Sequence, residues 1–226
     1  MERKYIEIFG LKGGSGKSFV TYFLSRELSR YKKILIVDRG YSPTIAKLYG
    51  IDNNLTSYLL GKSDKPFTKS DGNITILNVS CNDEFNKLEN KKVVEAYSNV
   101  IKNDGYDIVL VDNPNFKDYC YDKHREVWKT FVDEDTIKAI AVTSPPLFVI
   151  KATKDALKNA MKLFSMRFIA IVINKDTPQP IASEGLEDIA PVFRVSFNKE
   201  FMFSSWKILQ TPNEIVKLAK FVIENN

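Results

Sequence analysis

The sequence predicts an α/β fold, a parallel twisted sheet with helices on both faces, and three observations carry that prediction. Short apolar runs alternate with stretches of helical spacing along the whole chain, the pattern of repeated strand–helix–strand units. Two of the runs, Lys33-Ile34-Leu35-Ile36-Val37-Asp38 and Asp107-Ile108-Val109-Leu110-Val111-Asp112, show no polar alternation and end in aspartate. Strands buried on both faces look like this. A glycine-rich turn joins the first apolar run to the first helical stretch.

Taken in order, Lys4 to Leu11 is a strand that ends in that turn. Lys17 to Arg30 places Val20, Phe23, Leu24 and Leu28 at helical spacing. Lys33 to Asp38 is the second strand. Lys62 to Gly72 is the most loop-like stretch and is too short for a domain linker. Ile74 to Val79 is a strand, Glu84 to Lys102 a helix, and Asp107 to Asp112 a strand. Ile137 to Thr143 and Phe168 to Asn174 are strands on either side of a helix over Lys151 to Phe164, and Pro191 to Phe197 is the last strand. The final helix is signalled by Thr211 as cap, Pro212 in the first turn and Glu214 completing a capping box. In sheets of this kind ligands bind at the carboxyl ends of the strands.

The length of 226 residues suits one domain spanning 1–226, with enough apolar residues, 44%, for a real core. No run reaches the length of a membrane-spanning helix, and the polar start of the chain does not read as a signal peptide. Only Cys81 and Cys120 are present, which points to a reduced, cytoplasmic protein rather than a disulfide scaffold. The net charge of +5 permits binding to nucleic acid or anionic membrane without requiring either.

Gly10-Leu11-Lys12-Gly13-Gly14-Ser15-Gly16-Lys17-Ser18 fits the phosphate-loop pattern, with a strand before it and a helix after it. Glycines let backbone N–H groups curl around phosphate oxygens, and the helix N-terminus adds partial positive charge. Lys17 is placed to reach the β- and γ-phosphates, and the Ser18 hydroxyl to ligate Mg²⁺. Against this stands a glycine-rich turn that only connects two elements.

With its second lysine, Lys12, the loop resembles the deviant Walker A loop of the ParA/MinD family of ATPases. The resemblance covers almost the whole chain. Lys33 to Asp38 looks like the family's second strand, Tyr106 to Pro114 like its Walker B strand and Asp-x-Pro switch, and Ile171-Val172-Ile173-Asn174 like the strand whose asparagine recognises adenine. Leu55 to Lys62 resembles a short helix found mostly in MinD-like members. The resemblance implies a P-loop NTPase fold with ATP and Mg²⁺ as ligands. Lys12, Gly13, Gly14, Ser15, Gly16, Lys17, Ser18, Phe19 and Asn174 would bind nucleotide, and Ser18, Asp38 and Asp112 would surround the metal. Lys12, Lys17 and Asp38 would be catalytic, Asp38 by orienting the attacking water and Lys12 by crossing to a partner subunit's γ-phosphate. That implies a homodimer with ATP sandwiched between subunits. Without the loop, Asp38 and Asp112 would each read as a cap on a strand-to-loop transition. One departure is Asp38-Arg39-Gly40, where many members have a second acid two positions after the first, and it predicts slow turnover.

Lys151, Lys154, Lys158 and Lys162 are spaced 3, 4 and 4 apart on one helical face. The face is either a solvated stripe or a grip for DNA backbone. Nitrogenase iron-protein relatives bridge a [4Fe–4S] cluster with two cysteines placed rather like Cys81 and Cys120. The surroundings lack the glycines of such a site, so both are read as free thiols, and no Cys-x-x-Cys pair exists. His124, the one histidine, lies in a charged stretch and is expected to be exposed. Trp128 and Phe131 face either core or a partner, and the cluster Phe201 to Trp206 is read as core or dimer interface. The last helix, Ile215 to Glu224, is read as the domain's own, with no added amphipathic tail and hence no direct membrane anchor.

The first functional expectation is a ParA-like partition ATPase, a chromosome-segregation type of activity. It would move DNA or other cargo by non-specific DNA binding, associate with the nucleoid, and be stimulated by an unidentified protein partner. No separate DNA-reading domain is expected, because the loop begins only ten residues in. The alternatives are a MinD-like positioning or assembly ATPase acting through a protein partner, and a nucleotide-binding interaction protein with little turnover.

Overall fold

The computed structural model describes residues 3–103, 105–115, 120–130, 137–164, 166–177 and 183–225. In chain order the elements are β1 (Lys4–Phe9), α1 (Lys17–Leu28), β2 (Ile34–Asp38), α2 (Thr44–Leu48), α3 (Leu55–Leu59), β3 (Thr68–Asp71), β4 (Ile74–Asn78) and α4 (Asn90–Asn103). There follow β5 (Ile108–Asp112), α5 (Cys120–Trp128), β6 (Ile137–Thr143), α6 (Leu147–Phe164), β7 (Arg167–Asp176), β8 (Val192–Ser196), α7 (Glu200–Phe203) and α8 (Asn213–Glu224). The strands form one eight-stranded sheet in the order β3-β4-β2-β5-β1-β6-β7-β8. All pairs are parallel except β3 with β4.

The apolar runs form central strands because alternate side chains are buried on opposite faces. Ile34, Ile36, Ile108 and Leu110 pack with α1, α2 and α8. Leu35, Val37, Val109 and Val111 pack with α4 and α5. On the α6 side, Ile150, Leu157 and Ala160 cover Ala139, Ala141 and Ile171. The apolar side of α8, Ile215, Leu218, Ala219 and Val222, is buried against α1 and β8, as expected.

Several expectations are corrected. The loop-like stretch Lys62 to Gly72 contains β3, an edge strand of Thr-Lys-Ser-Asp without an apolar residue, closed by a tight turn in which Gly72 has φ +57. Its polar side chains face solvent, so hydrophobic alternation gave no signal. The helix expected from Glu84 is a short 3₁₀ turn at Phe85–Lys87, then an extended Leu88 (ψ 144), then α4. Thr211 does not cap α8: Pro212 occupies that position without a side-chain hydrogen bond, and Glu214 accepts from Lys217 at 3.3 Å instead of closing a capping box.

His124 is buried at 1% exposure rather than exposed, with Nδ1 3.2 Å from the Tyr97 hydroxyl. Burial and the nearby Arg39 charge hold its pKa well below the ordinary histidine value. Helical spacing explains the miss: α5 turns His124, Val127 and Trp128 onto the core beside Tyr97 while Glu126 stays exposed. Trp128 is fully buried, edge-on to Tyr5, and Phe131 lies outside the described residues. Cys81 is buried and disulfide-bonded, not a free thiol, and the chain's one other cysteine is Cys120.

Candidate active site

The site forms where β1, β2, β5 and β7 end. Gly16 precedes α1 with φ +97 and Gly14 has φ +78, left-handed values that favour glycine. At Gly16 a side chain is also excluded by space, because a Cβ would lie 2.0 Å from Asn174 Nδ2. Asn174 is buried and donates from Nδ2 to the Ser15 carbonyl at 2.9 Å. The next residue, Lys175, has φ +63 and donates to the Gly14 carbonyl at 2.9 Å. The end of β7 thus fixes the far wall of the loop. Lys12, Gly13 and Gly14 are exposed, while Ser15 and Phe19 are buried.

A cleft of about 400 Å³ opens beside the loop, lined by Gly14, Lys17, Asn174, Phe197, Phe201 and Trp206 among others. Phe19 carries this wall: its ring is 5.0 Å from that of Phe201 and 5.6 Å from that of Trp206. The Phe201-to-Trp206 cluster, read from sequence as core or dimer interface, therefore lines the cleft in part. Met202 and Phe203 are exposed.

Asp38 and Asp112 are direct neighbours in the register of β2 and β5. Both are buried, at 0% and 2% exposure. Asp38 accepts from the backbone of Ile45 and Ala46 at 3.0 and 2.9 Å and of Gly40 at 3.2 Å, so its carboxylate caps α2 while standing at the site. Asp112 accepts from Thr21 at 3.4 Å and from the Ser18 hydroxyl. Burial pushes both carboxyls well above the usual carboxylate range, and the Asp38 charge raises Asp112 further. Two adjacent buried carboxyls beside a serine hydroxyl are a donor set that suits Mg²⁺, which otherwise keeps waters and phosphate oxygens. Among the described residues, no group of three or more His, Cys, Asp or Glu gathers to hold a metal by protein ligands alone.

Strand alternation decides what lies beside this pair. Asp38 and Asp112 project to the loop side of the sheet, so Arg39 and Asn113 project to the other. Arg39, at 0% exposure, donates to Asn113 Oδ1, and Asn113 Nδ2 donates to Glu7 Oε2 at 3.2 Å. Arg39 is turned into the α4/α5 face, in a buried polar brace with Asn113 and Glu7.

Lys17 donates to Asn115 Oδ1 at 3.2 Å. Sequence reading missed Asn115, Lys175 and Thr21, and assigned Trp206 to core or dimer interface rather than to the cleft. Asn115 could have been found as the polar side chain three positions past Asp112. The proposed DNA stripe is partly engaged: Lys154, 23% exposed, donates to the Glu184 carbonyl at 2.7 Å and approaches Asp188 at 3.8 Å, and Lys151 is 3.9 Å from Glu184. Lys158 and Lys162 border a shallow depression with Met161.

The architecture is that of MinD and ParA-family ATPases. A MinD cell-division ATPase from Pyrococcus furiosus superposes with TM-score 0.75 at 19% identity, over 100% of both chains. A plasmid partition protein from Borrelia burgdorferi, bound to AMPPNP, gives TM-score 0.74 at 14% identity over 100% of both. MinD from Pyrococcus horikoshii, complexed with Mg-ADP, gives 0.71 at 20% identity over 99% of this chain and 97% of that one. No protein-family model matches the sequence, and no curated protein matches it significantly.

Proposed function

We propose that the chain, as one domain, binds MgATP and works as an ATP-dependent dimerising switch that hydrolyses ATP slowly. The observation that carries this is the hydrogen bond from Ser18, the last residue of the loop motif, to Asp112, which is register-paired with Asp38. In this reading the loop amides and Lys17 hold the phosphates, and the cleft at Asn174 and Trp206 takes the base. Ser18 and Asp112 would hold Mg²⁺, which when bound neutralises charge on the terminal phosphates. Asp38 faces the same point and orients water, while the α2 amides fix its carboxylate. Lys12 is exposed at the loop's outer edge, where it is available to a second subunit's γ-phosphate. The slow rate follows from Gly40, which stands where a second acid would reach the metal side.

The first biological reading is a partition ATPase that moves DNA or another cargo through non-specific DNA contacts at Lys158 and Lys162, with a protein partner stimulating hydrolysis. The plasmid partition protein among the similar structures supports it. A MinD-like positioning role through a protein partner is the second reading. The apolar residues exposed on α6, Phe148 at 70% and Leu163 at 73%, favour it. One experiment tests both. DNA binding and mass by light scattering are measured without nucleotide and with ADP, ATP and a slowly hydrolysed analogue. DNA binding confined to an ATP-type dimer supports partition. An ATP-type dimer that ignores DNA supports the positioning role, and a chain that binds no nucleotide refutes the switch.

A further inference from the structure

We propose that Asn115 is the side chain by which this site tells a nucleoside triphosphate from a diphosphate. The inference rests on the nucleotide-switch reading and adds a residue to it. A phosphate-loop lysine reaches the β- and γ-phosphates. Here the Lys17 ammonium is met at 3.2 Å by Asn115 Oδ1. An acceptor one hydrogen bond from that ammonium lies within reach of a phosphoryl oxygen held by the same ammonium. The amide carries both kinds of group, an acceptor at Oδ1 and a donor at Nδ2. It can therefore accept from Lys17 and donate to a γ-phosphoryl oxygen without adding charge.

Position along the loop assigns it to the terminal phosphate. Asn174 lies against Gly16, on the side of the cleft, and lines that cleft. Asn115 lies against Gly13, three residues earlier, with Nδ2 at 3.6 Å from where a Cβ would stand. The two asparagines thus bracket the loop. The phosphate chain of a nucleotide whose base lies near Asn174 runs along the loop towards Lys17 and Asp112. Asn115 lies against Gly13, at the end of the loop away from Asn174, which places it nearest the outermost phosphoryl group.

The backbone before Asn115 is held. Asn113 is 3% exposed and fixed between Arg39 and Glu7. Pro114 then restricts the chain through its ring. The brace limits the backbone that carries Asn115, and its amide is met by Lys17; a preset hydrogen-bonding group loses less entropy on binding than a mobile one.

The test measures the affinities of full-length protein for ADP and for ATPγS, each with Mg²⁺, by displacement of a fluorescent nucleotide. Asn115→Ala should weaken ATPγS roughly tenfold and leave ADP within about twofold, the size of one lost charge-assisted hydrogen bond. Asn115→Asp should weaken ATPγS more than Asn115→Ala does, because a carboxylate there repels the γ-phosphate. Asn115→Ser retains a small polar group and checks that any loss is not one of fold, with circular dichroism read on all three. Equal weakening of both nucleotides in Asn115→Ala, or weakening of neither, overturns the assignment. A wild-type chain that binds neither nucleotide overturns the switch reading itself, a result visible before any variant is made.

Discussion

Replacing Arg39 by methionine isolates the buried brace. The substitution keeps a long, flexible side chain and removes the guanidinium. Asn113 Oδ1 loses its donor, and the Glu7 side chain, held by Asn113 at 3.2 Å, stays buried at 2% exposure near no introduced cation. Breaking one partner out of a buried charged cluster costs about 3–5 kcal/mol. The methionine side chain gains apolar contact and offsets part of that, so a net loss of about 3 kcal/mol is expected. In a chain of 226 residues, that corresponds to a fall in melting temperature of roughly 6–12 °C. The assay is urea denaturation with calorimetry, run beside Glu7→Leu and the double variant. Apolar replacement of a whole buried cluster is often nearly neutral, so the double variant should recover at least half of the single losses, a coupling on the order of 1–3 kcal/mol. Mg²⁺ affinity in the presence of ADP should stay within about threefold, since the guanidinium faces away from Asp38 and Asp112. An Arg39→Met protein that melts within 1–2 °C of wild type and binds Mg²⁺ far more tightly would refute the reasoning. It would mean that the arginine lies at the metal side.

Three further outcomes are expected. Gly16→Ala should lower nucleotide affinity by more than about a hundredfold and cost roughly 2 kcal/mol, since φ is +97 and the new Cβ collides with the Asn174 amide. Calorimetric titration and urea melts measure the two effects. Asp38 and Asp112 are held above their ordinary values, first by burial, so the folded protein binds more protons than the unfolded chain. Their contribution is therefore fully present only below the ordinary carboxyl pKa near 4 and is lost as pH rises through the raised values. Metal-free protein should lose stability from pH 5.5 to pH 8, and Asp112→Asn should flatten that slope in thermal melts. If DNA is bound, Lys158→Ala with Lys162→Ala should reduce the salt slope of DNA affinity by about 2, one for each phosphate contact. Lys154→Ala should instead loosen the Glu184–Asp188 turn that its ammonium holds.

The parallel sheet was legible because its strands are buried on both faces and so carry continuous apolar runs. The loop was legible because phosphate binding demands glycines, a lysine and a hydroxyl at fixed spacing. Asp38 and Asp112 could be read as strand-end carboxylates, but their pairing belongs to the register of β2 against β5, which no local pattern encodes. β3 escaped notice because an edge strand can be wholly polar, and the burial of His124 because α5 is charged on one side and docks on the other. By itself the sequence determined the phosphate loop, the seven strands that pair in parallel, and the unusual Asp38-Arg39-Gly40 run. Tertiary structure alone decided what Arg39 meets, Asn113 past the end of β5 and, through it, Glu7 of β1. It also decided the contact of Asn115 with Lys17, 98 residues apart in the chain. Local spacing fixes which residues share a strand or a turn, whereas these meetings depend on which strand ends the sheet sets side by side.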